Sequence, residues 1–358
     1  MRKTWFALLT QLFLTYQSSA QFPIMLKDIN DGASSNPNQF IEYNGKTYFT
    51  ATDPIVGTEI FVTDGTKEGT ALLADIYPNS TSSFPNNFIV YKGLLYFTAT
   101  SPVGGNELWS TDGSGAGTQV VVDINPGLSS SNISNIKILN NQLLFNATTS
   151  SNGNELWTSD GTALGTFLLK DIFLGANSSQ PSNFYLFKNK LFFVANNGTT
   201  GPELWSTDGS ALGTKLIKDI RIGSLQSNIT SFFAHNNTLY FSANDGINGQ
   251  ELWQTDSSTA GTVMLKNIDG GAGNSNPGNF ITFKNTLFFT ATTPFTGLEL
   301  WVSDGTALGT KLHKDLRPGF VSSNANNFFV YNNQLFFNAN DSALGNELWI
   351  SDSTWTGK

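Results

Sequence analysis

Two acidic residues recur along this chain with a regularity that invites a chemical reading. A glutamate stands at Glu59, Glu107, Glu155, Glu203, Glu251, Glu299 and Glu347, each 48 residues after the last. An aspartate follows five positions later, at Asp64, Asp112, Asp160, Asp208, Asp256, Asp304 and Asp352. Paired carboxylates are what glycoside hydrolysis uses, and carboxylates clustered in a short loop are what calcium uses. Each aspartate is followed by a turn, where a carboxylate also accepts backbone amides and closes an Asx-type turn. With one Asp per loop and no alternating Asp-x-Asp spacing, the turn role is expected rather than a calcium site. Seven unpaired glutamates around a common channel would repel one another and raise their own pKa values, so each needs a partner. Lysine cannot be the general one: Lys27, Lys170, Lys218, Lys266 and Lys314 share a position that Ala74 and Val122 hold in two other repeats. Backbone amides, or the recurring Asn87, Asn135, Asn183, Asn279 and Asn327, are the expected donors, and the glutamates read as structural.

The remaining chemistry-bearing residues are few. Trp109, Trp157, Trp205, Trp253, Trp301 and Trp349 recur two positions after the glutamate. They are candidate sugar-stacking platforms, but a strand Trp between packed sheets is expected as core, burying ~150–250 Å² and donating its N–H to a carbonyl. His235 and His313 stand where other repeats have aromatic or aliphatic residues, and there is no cysteine. A Ser-His-Asp, Cys-His or multi-histidine zinc site therefore does not assemble from these residues. No catalytic residue, metal ligand or cofactor is assigned. A carboxylate pair for glycoside hydrolysis is a matter of spacing in three dimensions.

The elements that must position these residues follow from the repeat. Within one period the segments 166–172, 183–187, 191–195 and 203–207 are short, rich in aromatic and β-branched side chains and bounded by turn formers, which is how strands read. Four antiparallel strands per period of 40–50 residues is the unit of a β-propeller blade. The expected fold is all-β: a seven-bladed β-propeller of four-stranded antiparallel blades over 21–358. The Asp-Gly-Thr-x-x-Gly connection is short and turn-rich and is expected as a hairpin, leaving 172–183 to cross between blades. The chain reaches the first repeat through 23–29, counterpart of 166–172, and stops before an eighth copy. Those residues are accordingly expected to pair with 347–351 and close the ring. The recurring glycine two residues before each glutamate implies a positive φ or a close backbone approach. Variation concentrates just after the Lys-Asp-Ile strand, at Tyr77, Phe173, Arg221, Asp269 and Arg317, and these five are the candidate ligand-binding residues of a variable rim.

Charged residues make up 13% of the chain against a typical ~25%, and Asn, Ser, Thr and Gly fill the deficit. Residues 1–20 carry a positive start, an apolar run and the small residues Ser18, Ser19 and Ala20, the pattern of a secretory signal peptide cleaved before Gln21. Losing Arg2 and Lys3 would move the formal charge from -8 to -10, which disfavours nucleic acid and anionic lipid as partners. No later apolar run approaches the ~20 residues of a membrane span.

Glu-Leu-Trp-x-x-Asp-Gly-Thr, as in 155–162 and 299–306, resembles the signature of the bacterial ELWxxDGT repeat proteins, and the likeness runs through all seven repeats. Phe61, Ser114, Ser210, Ser257, Ser258 and Ser353 depart from it. The resemblance implies a secreted or cell-surface repeat protein and carries no catalytic residue with it. The functional expectation is a secreted, monomeric, non-enzymatic binding scaffold with a protein or polysaccharide partner. Its rivals are an extracellular carbohydrate-active enzyme, glycosidase or lyase, and a multivalent lectin with one site per blade.

Overall fold

A computed structural model describes residues 23–352; the signal-peptide reading of 1–20 lies outside them. The described residues form twenty-seven strands, ending at Asn346–Ser351, and no helix, hence no helix able to cross a membrane. The strands fall into six sheets of four and one of three, each antiparallel and joined in sequence order. This is a β-propeller of seven blades. Blade four is typical, with strands Ser182–Phe187, Lys190–Asn196, Pro202–Thr207 and Lys215–Lys218. Blades one, two, three, five and six occupy 38–74, 86–122, 134–170, 230–266 and 278–314, and blade seven 326–351.

First strands of successive blades touch one another, so they lie nearest the axis, and the fourth strands form the outer edge. The core sits between blades. Phe192, Val194 and Leu204 of blade four pack with Leu239, Phe241 and Trp253 of blade five, and equivalent clusters fill the other joints from blade one to blade seven, whereas among the described residues no such cluster joins blade seven to blade one. Both faces of the central strands are covered in blades two to six, which is why these strands read as continuous apolar runs.

The Asp-Gly-Thr connection is a hairpin, since Trp157 pairs with Leu168 and Thr158 with Phe167 across it. The longer segment crosses to the next blade. Two sequence expectations need correction. Residues 23–28 carry no strand pairing, and the sheet of blade seven has no fourth strand among the described residues. Lys27 instead donates to Thr70 O at 2.5 Å, as Lys218 does to Thr262 O and Lys266 to Thr310 O, while Ile29 packs on Phe49, Ala51 and Phe61 of blade one. The N-terminal segment therefore follows blade one rather than blade seven, whose Leu348 is 71% exposed where Leu300 is 1%. The recurring asparagines are the second correction. Asn87, Asn135, Asn183, Asn279 and Asn327 adopt φ of 52–58° at a bulge in each first strand. Asparagine tolerates that left-handed backbone better than most residues, which accounts for its recurrence without any role toward the glutamates.

Candidate functional site

The two recurring acids end up at opposite ends of each blade. They bracket the third strand of each blade, and five residues of extended chain span about 17 Å, beyond the ~5–9.5 Å separating glycosidase carboxylates. The Glu and Asp of one repeat therefore do not form a catalytic pair.

Each glutamate of blades one to six is 0–1% exposed and holds the crossover loop that leaves its own blade. Glu155 accepts from Ile172 N at 2.8 Å, Phe173 N at 3.3 Å, Ser179 N at 2.8 Å and Ser179 Oγ at 2.6 Å. Glu59, Glu107, Glu203, Glu251 and Glu299 bond the amide seventeen residues downstream in the same way. Backbone amides are thus the donors, as expected. Glu347 is exposed, and no such loop follows it among the described residues. Burial pushes all six buried carboxyls up against the lowering effect of these hydrogen bonds, Glu107 and Glu203 to about 7. A second acid contributes in three of them: Asp123 raises Glu107, Asp219 raises Glu203 and Asp315 raises Glu299. The sequence reading missed this neighbour, although the constant sixteen-residue offset was available to find it. The pair offers no catalytic surface, because the glutamate is sealed beneath its loop.

Each aspartate of blades one to six closes the hairpin at the other end. Asp160 Oδ1 accepts Thr162 N at 2.9 Å and Thr162 Oγ1 at 2.7 Å, and that hydroxyl oxygen accepts Gly165 N at 3.0 Å. Those bonds hold its carboxyl below the usual range, as they do for Asp64, Asp112, Asp208, Asp256 and Asp304. A Cβ on Gly165 would stand 2.0 Å from Asp160 Oδ1, which explains the recurring glycine. The earlier glycine meets both expectations: Gly153 has φ 63°, and a Cβ there would fall 2.0 Å from Asn177 O. No group of three or more metal-ligating side chains occurs among the described residues.

The tryptophans are core. Trp205, Trp253 and Trp301 are 6–7% exposed, leaving no open ring for a sugar. Their hydrogen bonding differs from expectation. Trp349 donates to Ala339 O at 2.9 Å, whereas Nε1 of Trp109, Trp157, Trp205, Trp253 and Trp301 is buried without a protein acceptor. The histidines lie in different joints. His235 Nδ1 is 2.9 Å from Thr282 Oγ1, and His313 stacks edge-on to Phe288 with Nε2 3.4 Å from Ser351 Oγ. Desolvation depresses both imidazoles.

Tyr77, Phe173, Arg221, Asp269 and Arg317 occupy one structural position, at the start of the crossover, each at a different blade boundary. The ring keeps them apart, so they do not form one pocket. Backbone N of Tyr77, Phe173 and Arg221 bonds the glutamate at 3.3 Å, which uses the main chain and leaves the side chain free to vary. Those side chains reach toward the next blade or back to their own loop. Phe173 lies over Gly198 and Arg221 over Gly246, Arg317 Nε donates to Ser342 Oγ at 2.8 Å, and Asp269 Oδ2 accepts Gly273 N at 3.1 Å. At the boundary of blades four and five a cleft of about 520 Å³ opens beside Arg221.

No family model and no curated relative matches the chain. Among solved structures it is similar to the propeller domain of the Trilobed protease from Pyrococcus furiosus, described as having an open velcro topology. That match is 10% identical, covers 90% of this chain and 97% of that one, and has a TM-score of 0.39. A prolyl endopeptidase matches at 10% identity over 88% of this chain and 50% of its own, with a TM-score of 0.48. The computationally designed Ika8 protein matches at 16% identity, 90% and 98% coverage and a TM-score of 0.33. The chain spans about half the length of the prolyl endopeptidase. The architecture itself stands on the seven sheets.

Proposed function

We propose that this chain is a secreted, non-enzymatic scaffold that binds a protein or glycan partner through its crossover-loop face. The supporting observation is the division of labour within each repeat. Acids that might have done chemistry are engaged by backbone amides in every blade from one to six, while the side chain beside each glutamate's loop is free of that duty and differs from blade to blade. A rigid ring with variable side chains on one rim suits recognition of an asymmetric partner. The packed tryptophans remove the stacking platforms that a lectin with one site per blade would use. Export is supported by the signal-like residues 1–20. Monomeric behaviour is part of the proposal.

Screening the purified protein against a glycan array, a protein panel and chromogenic glycosides tests the reading. Saturable binding without turnover is expected. Turnover that survives repurification would overturn it in favour of a carbohydrate-active enzyme.

A further inference from the structure

We propose that the cleft between blades four and five receives an extended peptide segment of a partner protein, with one large apolar side chain in the cleft and a neighbouring carboxylate on Arg221. The proposal rests on the scaffold reading and gives it a site. The cleft's volume of about 520 Å³ is within the ~300–1,000 Å³ of ligand pockets. Its walls are largely aliphatic: Ile222, Leu225 and Ile247 are 90%, 60% and 76% exposed, and although Ile55, Val103, Leu174, Phe295 and Phe320 are also exposed at other blades, these three line one cleft beside an arginine. Ile220 and Trp253 line the same cleft and are 5% and 6% exposed. The indole N–H of Trp253 has no acceptor in the protein, a feature it shares with Trp109, Trp157, Trp205 and Trp301.

Charge supplies the second half of the argument. Arg221 lays its stem along Gly246, where a Cβ would meet Nε at 3.2 Å and Cγ at 3.3 Å. Its one side-chain hydrogen bond runs from Nη1 to Gln226 O at 3.4 Å. The neighbouring acid is already engaged: Asp245 Oδ1 accepts Ile247 N at 2.8 Å and Asn248 N at 2.7 Å, and Oδ2 accepts Asn248 Nδ2 at 2.7 Å. Asp245 lines the same cleft and keeps its charge, but its oxygens are turned to its own loop, which leaves the guanidinium as the group open to an anionic ligand, and its fork geometry matches a carboxylate. The other boundaries show what closes such a cleft. Between blades three and four the Phe173 ring lies against Gly198, within 2.5 Å of where a Cβ would stand, and between six and seven Arg317 is tied to Ser342. Aliphatic walls without an open aromatic face favour an apolar side chain over a sugar ring.

The probes are N-acetylated, C-amidated peptides with one Leu, Phe or Trp beside Asp or Glu, their Asn and Gln counterparts, and a panel of uronic-acid oligosaccharides. Fluorescence polarisation should show the acidic peptides binding, with counterparts about tenfold weaker. Arg221→Phe, which copies the plug at Phe173, and Ile247→Asp should each weaken binding at least about tenfold, whereas Arg317→Phe should not. Arg221→Gln repeats the test should the phenylalanine variant fail to fold. The proposal is overturned if no acidic peptide binds, or if binding is indifferent to Arg221 and Ile247. Uronic acids that bind through Arg221 in place of peptides would also overturn it while leaving the scaffold reading intact. Turnover of chromogenic glycosides would remove the scaffold reading itself.

Discussion

Raising the pH from about 5 to about 8 should lower the melting temperature, and Glu107 and Glu203 should carry the largest part of the fall. Burial pushes both carboxyls to about 7 from 4.5. Between those values the native state keeps a proton that the unfolded chain has released, so their contribution is complete below 4.5 and lost as pH rises through about 7. The joint accommodates both states. Where Ser275 Oγ stands 2.6 Å from Glu251 Oε2 and 3.1 Å from Gln250 O, the hydroxyl donates to the ionised glutamate, or turns to the carbonyl and accepts the acid's proton. At 1.36 kcal/mol per pH unit the interval is worth at most ~3 kcal/mol for each glutamate. Solvent above the thin loop screens part of this, leaving about 1–2 kcal/mol each. Together they correspond to a fall of about 3–6 °C in a chain of this size. Melts of the wild type and of the Glu107→Gln, Glu203→Gln double variant across that range supply the assay. Glutamine imitates the protonated acid, so the double variant should fall less steeply than the wild type, the remaining slope coming from Glu59, Glu155, Glu251 and Glu299. A wild-type melting temperature that holds or rises, or a double variant that keeps the wild-type slope, would refute the reasoning.

Four further outcomes are expected. Gly165→Ala should cost about 1–3 kcal/mol in a denaturant melt, because its Cβ would meet the Asp160 carboxylate at 2.0 Å. Asp160→Ala should cost about 1 kcal/mol, the low end for a lost turn, since its partners are exposed, and should leave partner binding unchanged. Acidification through the usual aspartate pKa of 3.8 should destabilise the hairpins, because carboxyls held below that value lose their contribution as pH falls through their folded pKa; circular dichroism during acid titration reads this. Adding EDTA should leave the melting temperature unchanged, and a sharp fall would revive a calcium role for the aspartates.

Much of this architecture is legible in the chain because the same physical problem is solved in every blade. The strands, the hairpin at Asp160 and the glycine at 165 could be read from one period, since each answers to residues within ten positions of it. What stayed hidden depends on the third dimension. Asparagine at 183 looks like a donor in sequence, but in space it answers to a left-handed bulge. Trp205 looks like a residue with a carbonyl partner, and the packed joint gives it none. That Glu203 and Asp208 lie at opposite ends of their blade follows from strand direction, but the nearness of Asp219 to Glu203 needs the fourth strand folded back. The candidate rim was legible as variation at Arg221, while the cleft beside it needed Ile247, from a turn of the next blade.

The glutamate pins carry an evolutionary consequence. Each reaches seventeen and twenty-four residues forward, less than one period, so every pin is written inside a single copy of the repeat. Unequal recombination that adds or removes whole copies leaves each remaining pin with its own amides, whereas a single-residue deletion between glutamate and serine breaks one. Copy number is therefore free to drift in a lineage while spacing within a copy is not. The segment ahead of blade one takes six steps from Ile29 to Ser35 where the equivalent Ile172 to Ser179 takes seven, and it has no glutamate upstream of it among the described residues, the place where such a deletion meets least resistance.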